Sequence, residues 1–298
     1  MDRIRKILVA TDYSEDARRA EMRAAMLSIE LKAETLELMT VDCTKIDLRA
    51  PAATPEKSVA CAGDSVALPG WPEDGPACVR SIRAGSAPQA IVGRAMESRA
   101  GLIVVAARGK RFFADLFRRH NNDELIRLAD RPVLLVCSEP NDAYKRVLVA
   151  IDFSEESKEA ARAALAVAPS AHFTFLHVFR VPDEDMMRET GVSLDRIHGY
   201  RIRARDAARI KLNAFIDSLG PKKQLISRSI QHGVPAPVIG AQAKQLNADL
   251  IALGKHGKPR FVEFLLGSVT RRVVDQGWCD LLVTTAMEPE GIDLPPAA

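Results

Sequence analysis

Apolar residues fall along this chain in two alternating patterns. Short continuous runs rich in Val, Ile, Leu and Phe occupy 146–151, 172–178, 225–231, 248–253 and 280–285, and each predicts a strand buried on both faces. Between them, apolar residues recur at helical spacing from Ser154 to Val167, near 195–219, over 235–246 and over 268–276. Serines stand where helices begin, and Gly277 stands where the last one stops. Strictly alternating strands and helices predict a parallel sheet with helices on both faces and right-handed crossovers.

The same pattern is written twice. Lys6 to Ser14 reads KILVATDYS and Arg146 to Ser154 reads RVLVAIDFS, an offset of 140. Ala100 to Lys110 aligns with Ala248 to Lys258, Val133 to Val136 with Leu281 to Thr284, and Gly85-Ser-Ala-Pro with Gly233-Val-Pro-Ala, all at an offset of 148. An internal repeat of this length predicts two tandem domains, 1–140 and 141–298, joined near Pro140 to Asp142, with eight more residues between the second and third strands of the second copy. The fold class is therefore α/β: two doubly wound five-stranded parallel sheets, each in the order 3-2-1-4-5. In such a sheet a ligand sits beyond the carboxyl ends of the strands where the order reverses, between strands 1 and 4. Asp152 ends the first of these strands and Gly254 the other.

Composition narrows the function classes. A net charge of +3 in 298 residues offers no global field for nucleic acid or a membrane surface, and arginine groups such as Arg18–Arg19 and Arg201–Arg209 read as solvated helix faces. The five cysteines are scattered and never form CxxC, which speaks against a disulfide framework and a zinc knuckle and fits a reducing cytoplasm. No apolar stretch approaches membrane-spanning length and no signal core precedes the first strand, so a soluble intracellular protein is expected.

Candidate chemistry is concentrated in Gly254 to Thr270, GKHGKPRFVEFLLGSVT. Glycines at 254, 257 and 267 would let a phosphate approach the backbone, and Ser268, read as the cap of the following helix, adds a hydroxyl at a helix mouth whose free amides favour anions. The competing reading gives these glycines only turn and packing duties. Asp152 likewise has two readings, a ligand residue or a helix-entry residue competing with Ser154 as cap.

The VA-x-D-x-S opening, the F-L-H-V second strand (Phe175 to Val178), the G-x-P turn at Gly233 and the Gly-x2-Gly-x9-Gly-Ser signature together resemble the universal stress protein superfamily in its tandem form. The resemblance covers nearly the whole chain, closely over 145–285 and partially over 1–138. It implies ATP, with or without magnesium. It places Asp152 beside the adenine and ribose, the backbone of Val178 at the adenine edge, Gly254 and Gly257 along the ribose and first phosphates, and Gly267, Ser268 and Val269 around the outer phosphates. It also implies that the apolar fifth strands, Val133 to Cys137 and Leu281 to Thr285, pair with each other as an intrachain pseudo-dimer, which removes two otherwise unprotected edges. Whole-chain homodimerisation and protein partners stay open.

The first copy departs from this pattern. Ala106 replaces the first glycine, Gly109 keeps the second, and Arg119 and His120 stand in place of Gly-Ser. Prolines and glycines crowd 51–76, where the second copy has a long helix, so a broken or absent helix is expected there. The first domain reads as structural, with phosphate binding through Arg108, Lys110, Arg111, Arg118 and Arg119 as the alternative.

Neither a GxxxxGK[ST] loop nor a GxGxxG after a first strand is present, and the six histidines show no metal-ligand spacing, although His256 inside the loop could donate to a phosphate. Lys255 and Lys258 are candidates for neutralising phosphate charge, whereas no residue can be assigned to position an attacking water. Two classes follow: an ATP-binding regulatory protein of the stress response, or at most a slow ATPase or ATP-using phosphotransferase. A scaffold that has lost its ligand is a third, which the intact second signature opposes.

Overall fold

The computed structural model describes residues 4–42, 75–107, 116–221, 223–255 and 266–284. Its first half runs β1 (Lys6–Ala10), α1 (Glu15–Glu30), β2 (Thr35–Asp42), β3 (Ala77–Ala84), α2 (Ala87–Ser98), β4 (Leu102–Ala106), α3 (Leu116–Leu128) and β5 (Val133–Val136). The second runs β6 (Arg146–Ile151), α4 (Glu155–Val167), β7 (His172–Phe179), α5 (Glu184–Glu189), α6 (Leu194–Ser218), β8 (Ile226–His232), α7 (Pro235–Gln245), β9 (Leu250–Gly254), α8 (Ser268–Gln276) and β10 (Asp280–Thr284). Each element expected in the second copy is present, and α5 is an addition. The expectation for the proline-rich stretch falls, over 51–74, outside the described residues.

Local chemistry explains where helices start. Ser14 and Ser154 sit in extended conformation and their hydroxyl oxygens accept the amides of Ala17 (3.2 Å) and Ser157 (3.1 Å), while Glu15, Asp16, Glu155 and Glu156 place negative charge against the positive end of the dipole. The turns before α2 and α7 depend on Gly85 (φ 117°) and Gly233 (φ 141°), a backbone region that a side chain would strain.

The ten strands form one sheet in the order β3-β2-β1-β4-β5-β10-β9-β6-β7-β8. Each half therefore has the order 3-2-1-4-5, and neighbours within each half run parallel. The halves meet at β5 and β10, which pair antiparallel with Leu281 opposite Leu135, Leu282 opposite Leu134 and Val283 opposite Val133. Alternation along every strand sends side chains to two cores. Ile7, Val9, Leu134, Val149 and Leu282 face α1, α4 and α6, whereas Leu8, Leu135, Leu148, Leu281 and Val283 face α2, α3, α7 and α8. Both cores cross the seam without a break, so the fifth strands are interior strands of a continuous sheet.

A buried polar cluster locks the seam. Asp280 is fully buried; its carboxylate accepts the amides of Cys137 (2.9 Å) and Ser138 (3.1 Å) and the Tyr144 hydroxyl (2.7 Å), and pairs with Arg23 Nε at 3.3 Å. Arg23 lies 4.2 Å over the Tyr144 ring and donates to the Asp142 carbonyl at 2.8 Å. Helix α1, the connecting segment and β10 are thereby tied to one carboxylate. Burial pushes its pKa up, although the Tyr144 hydroxyl, the two amides and Arg23 all favour the ionised form.

Helix α5 is held by Glu184, which receives hydrogen bonds from Arg201 and Arg188 and pairs with His232 Nε2 at 2.8 Å. The hydrogen bond from Arg201 is the main reason its pKa falls to about 2, below the ordinary 4.5. A depressed carboxylate contributes stability above its unfolded pKa and loses it as pH falls through the folded value. Between pH 4.5 and 2 the parent protein should therefore lose more stability than Glu184→Gln, a difference that chemical denaturation at stepped pH would measure. Equal slopes would remove this account of α5.

Candidate functional site

The strand order reverses at β6 and β9, and the two expected ends meet there. The register pairs Val147 with Leu250 and Val149 with Ala252, so its continuation sets Gly254 opposite Ile151, the residue before Asp152. Both strands point their carboxyl ends toward the first turns of α4 and α8.

Asp152 is half-buried and braces the start of α4: its Oδ1 accepts the Ser154 amide at 3.0 Å and the Ser154 hydroxyl. Ser154 is the cap, and Asp152 fixes the turn around Phe153, which has a left-handed φ of 64°. The first copy repeats this construction with Asp12, Tyr13 (φ 57°) and Ser14. Beside it, the half-buried His177 bonds the Ile151 carbonyl through Nδ1 (2.8 Å) and packs against Phe153 at a 38° tilt with centroids 4.3 Å apart. Burial depresses the His177 pKa, so the ring is neutral at pH 7. Val178, one residue on, is half-buried near the end of β7 and packs on the other core.

Gly254 has a packing reason for being glycine. A Cβ there would come 2.7 Å from Glu156 Cβ and 2.9 Å from the Glu156 carbonyl carbon, so β9 touches the first turn of α4 directly. The missing side chain makes room for α4, a packing duty independent of any ligand. The Gly254 carbonyl accepts the buried Thr270 hydroxyl at 2.8 Å, which fastens α8 to the end of β9.

The loop that follows is closed at its base. The Lys255 amide donates to the Thr284 carbonyl at 2.6 Å, and the Gly267 amide donates back to the Lys255 carbonyl at 3.0 Å. Gly267 is the N-cap of α8 and Ser268, exposed, its first helical residue, which corrects the assignment of Ser268 as the cap. The Gly267 amide is thus committed to the loop, and the donors a ligand could use are those of Ser268, Val269 and Thr270, in the first turn where no intrahelical carbonyl is in reach. Gly257, His256 and Lys258 lie outside the described residues.

Lys255 is also not where a phosphate-neutralising role would put it. Only 7% exposed, it sends its ammonium across the seam to the Arg127 carbonyl at the end of α3. Sequence reasoning missed this, as it missed Thr270 and the Phe153–His177 contact. For Thr270 a signal existed. At the repeat offset it corresponds to Asn122, whose amide donates to the carbonyls of Ala106 (3.4 Å) and Ala107 (3.1 Å), so both copies use this helix position to anchor the end of their fourth strand.

The copies differ most in the backbone. Arg119 and His120 align with Gly267 and Ser268, but α3 begins at Leu116, three residues before Arg119. The amides at 120 and 121 therefore fall within the helix and serve its own ladder, whereas their counterparts at 268 and 269 open α8.

A doubly wound α/β unit written twice, with an anion-competent helix mouth at the reversal point of the second copy, defines the class of fold and site. The universal stress protein family model matches residues 3–136 and again 143–285, and the chain belongs to that family in tandem form. The universal stress protein MJ0531 of Methanocaldococcus jannaschii is 30% identical over 149 residues, which span 49% of this chain and 85% of that protein. Universal stress protein Sll1388 of Synechocystis is 26% identical over 47% of this chain and 97% of its own length. Among solved structures, the functionally unknown protein PA1789 of Pseudomonas aeruginosa superposes with a TM-score of 0.60 at 18% identity, over 95% of this chain and 93% of that one. A universal stress protein of Archaeoglobus fulgidus gives 0.57 at 17% identity, over 94% and 96%. These two share the fold. Among the described residues, no helix is long and apolar enough to cross a membrane.

Proposed function

We propose that this chain binds one adenine nucleotide, ATP with or without magnesium, at the carboxyl ends of β6 and β9, and acts as a regulatory protein of the stress response. Residues 141–298 carry the ligand and residues 1–140 are structural. The observation that carries this reading is the different start of the two equivalent helices: α8 opens at Ser268, at the reversal point, so its first-turn amides have no intrahelical partner, while α3 has already begun before the aligned position. Asp152 and the backbone of Val178 supply the base and ribose end, Gly254 and Gly257 the floor of the first phosphates, and Gly267, Ser268 and Val269 the outer end. A magnesium ion would arrive on the phosphates, which supply the oxygen ligands it takes.

Mass analysis of small molecules released by denaturing the purified protein, with calorimetry on stripped protein, tests this reading. One ATP per chain is expected, and none or two equivalent sites would refute it. The alternative, a slow ATPase or phosphotransferase, is separated by single-turnover measurement. Phosphoryl transfer depends on a positioned water and on charge supplied at the transferring group, and a finger arginine alone is worth on the order of 10³–10⁵ in rate. With Lys255 turned to α3, this chain lacks one of the cations considered for that task, and turnover should be far slower than one per second. Several per second, lost in Asp152→Asn without loss of binding, would make the chain an enzyme.

A further inference from the structure

Lys255 joins two structures that belong to different domains. Its backbone closes the base of the loop leading to α8, accepting from the Gly267 amide and donating to Thr284. Its ammonium reaches the last turn of α3, where the Arg127 carbonyl accepts it, and Asp130 just beyond adds an opposite charge. A cation at a helix C-terminus meets both unpaired carbonyls and the negative end of the dipole. Burial depresses the Lys255 pKa, with Arg127 contributing and Asp130 opposing, so the desolvated ammonium depends on these partners. A second contact runs the same way, from Arg271 on α8 to Asp123 on α3 at 3.9 Å. At the repeat offset Ala107 stands in place of Lys255, so this position of the first copy has no cation to extend toward α8.

We infer that Lys255 is a positioning residue that couples the phosphate end of the second domain to α3 of the first, so that the domain with the altered signature registers the ligand state of the intact one. The coupling rests on the nucleotide site proposed above. A ligand seated on the first turn of α8 holds Gly267, Gly267 holds the Lys255 carbonyl, and a fixed Lys255 stem keeps its ammonium on the end of α3. Ligand binding therefore tightens the last turn of α3 across the seam.

Hydrogen exchange on the full chain, with Lys255→Met and Lys255→Arg, tests it. In ligand-free protein Lys255→Met should speed exchange of the α3 last-turn amides, residues 126–129, on the order of fivefold, as expected for loss of a partly buried cation at a helix end. Lys255→Arg, which keeps the charge, should restore part of the protection. With ATP bound, these amides should slow at least about twofold in the parent and clearly less in Lys255→Met, where only the exposed Arg271–Asp123 pair still joins α8 to α3. Equal ligand-free rates in parent and Lys255→Met would overturn the inference, and so would calorimetric binding of ATP that leaves α3 exchange in the parent unchanged. Should the parent bind no ATP, the nucleotide reading fails by itself and the link is judged on the ligand-free rates, which keeps the two failures distinct.

Discussion

Gly267→Asp is expected to lower the affinity for ATP at least about 100-fold while leaving the protein as stable as its parent, or slightly more so. The residue sits at the N-cap of α8 with φ −56° and ψ 143°, a conformation open to any residue. Aspartate is among the preferred caps and exceeds glycine there by a few tenths of a kcal/mol, so the helix tolerates the change. The ligand does not. A carboxylate about 4 Å from a phosphate charge costs on the order of 4 kcal/mol at the effective dielectric of a protein surface, which is more than the 2.7 kcal/mol that 100-fold requires. The two effects differ tenfold in size, so loss of binding with an unchanged Tm is the outcome to look for in paired calorimetry and thermal melts. Unchanged affinity would place the phosphates elsewhere and undo the proposed site.

The second large effect belongs to the seam. Cutting the chain within 140–142 should leave the halves associated, because β5 and β10 share a ladder and both cores run through it. Asp280→Ala should do what the cut does not. It leaves Arg23 buried without its carboxylate and strands the Tyr144 hydroxyl and two amides, and breaking a buried ion pair from one side costs about 3–5 kcal/mol. Denaturation of the uncut variant would read that loss, and sedimentation of the cut variant should show separate halves. Halves of the cut parent that separate on their own would refute the continuous-sheet account, and a loss below about 1 kcal/mol would mean that the cluster is incidental.

The repeat, the strand order within each half and the meeting of Asp152 with Gly254 were legible in the linear order of residues. Periodicity of apolar positions follows from which faces are buried, and handedness leaves a parallel alternating chain few ways to wind. The pairing of β5 with β10 was expected from the family resemblance, which gives two otherwise exposed apolar edges a cover, and the structure supplied its antiparallel sense and register. Asp152 and Gly254 were placed at one end of the sheet, and the structure adds duties that the order of residues did not show. Gly254 turned out to serve the approach of α4, Gly267 the closing of its own loop, and Lys255 the end of α3. Asp280 at the seam and Glu184 on α5 gave no sign in advance, since a carboxylate in sequence looks the same whether it faces water or Arg23 and Tyr144.

By itself, then, the sequence determined most of what depends on short-range pattern: where the strands and the longer helices lie, how often the unit recurs, and the order of strands within each half. Only the tertiary structure decided which partner each polar group takes. A hydrogen bond or buried ion pair is settled by distances of a few ångströms between residues more than a hundred positions apart, such as Lys255 and Arg127 or Asp280 and Tyr144, and the order of residues carries no measure of that distance until the chain has folded.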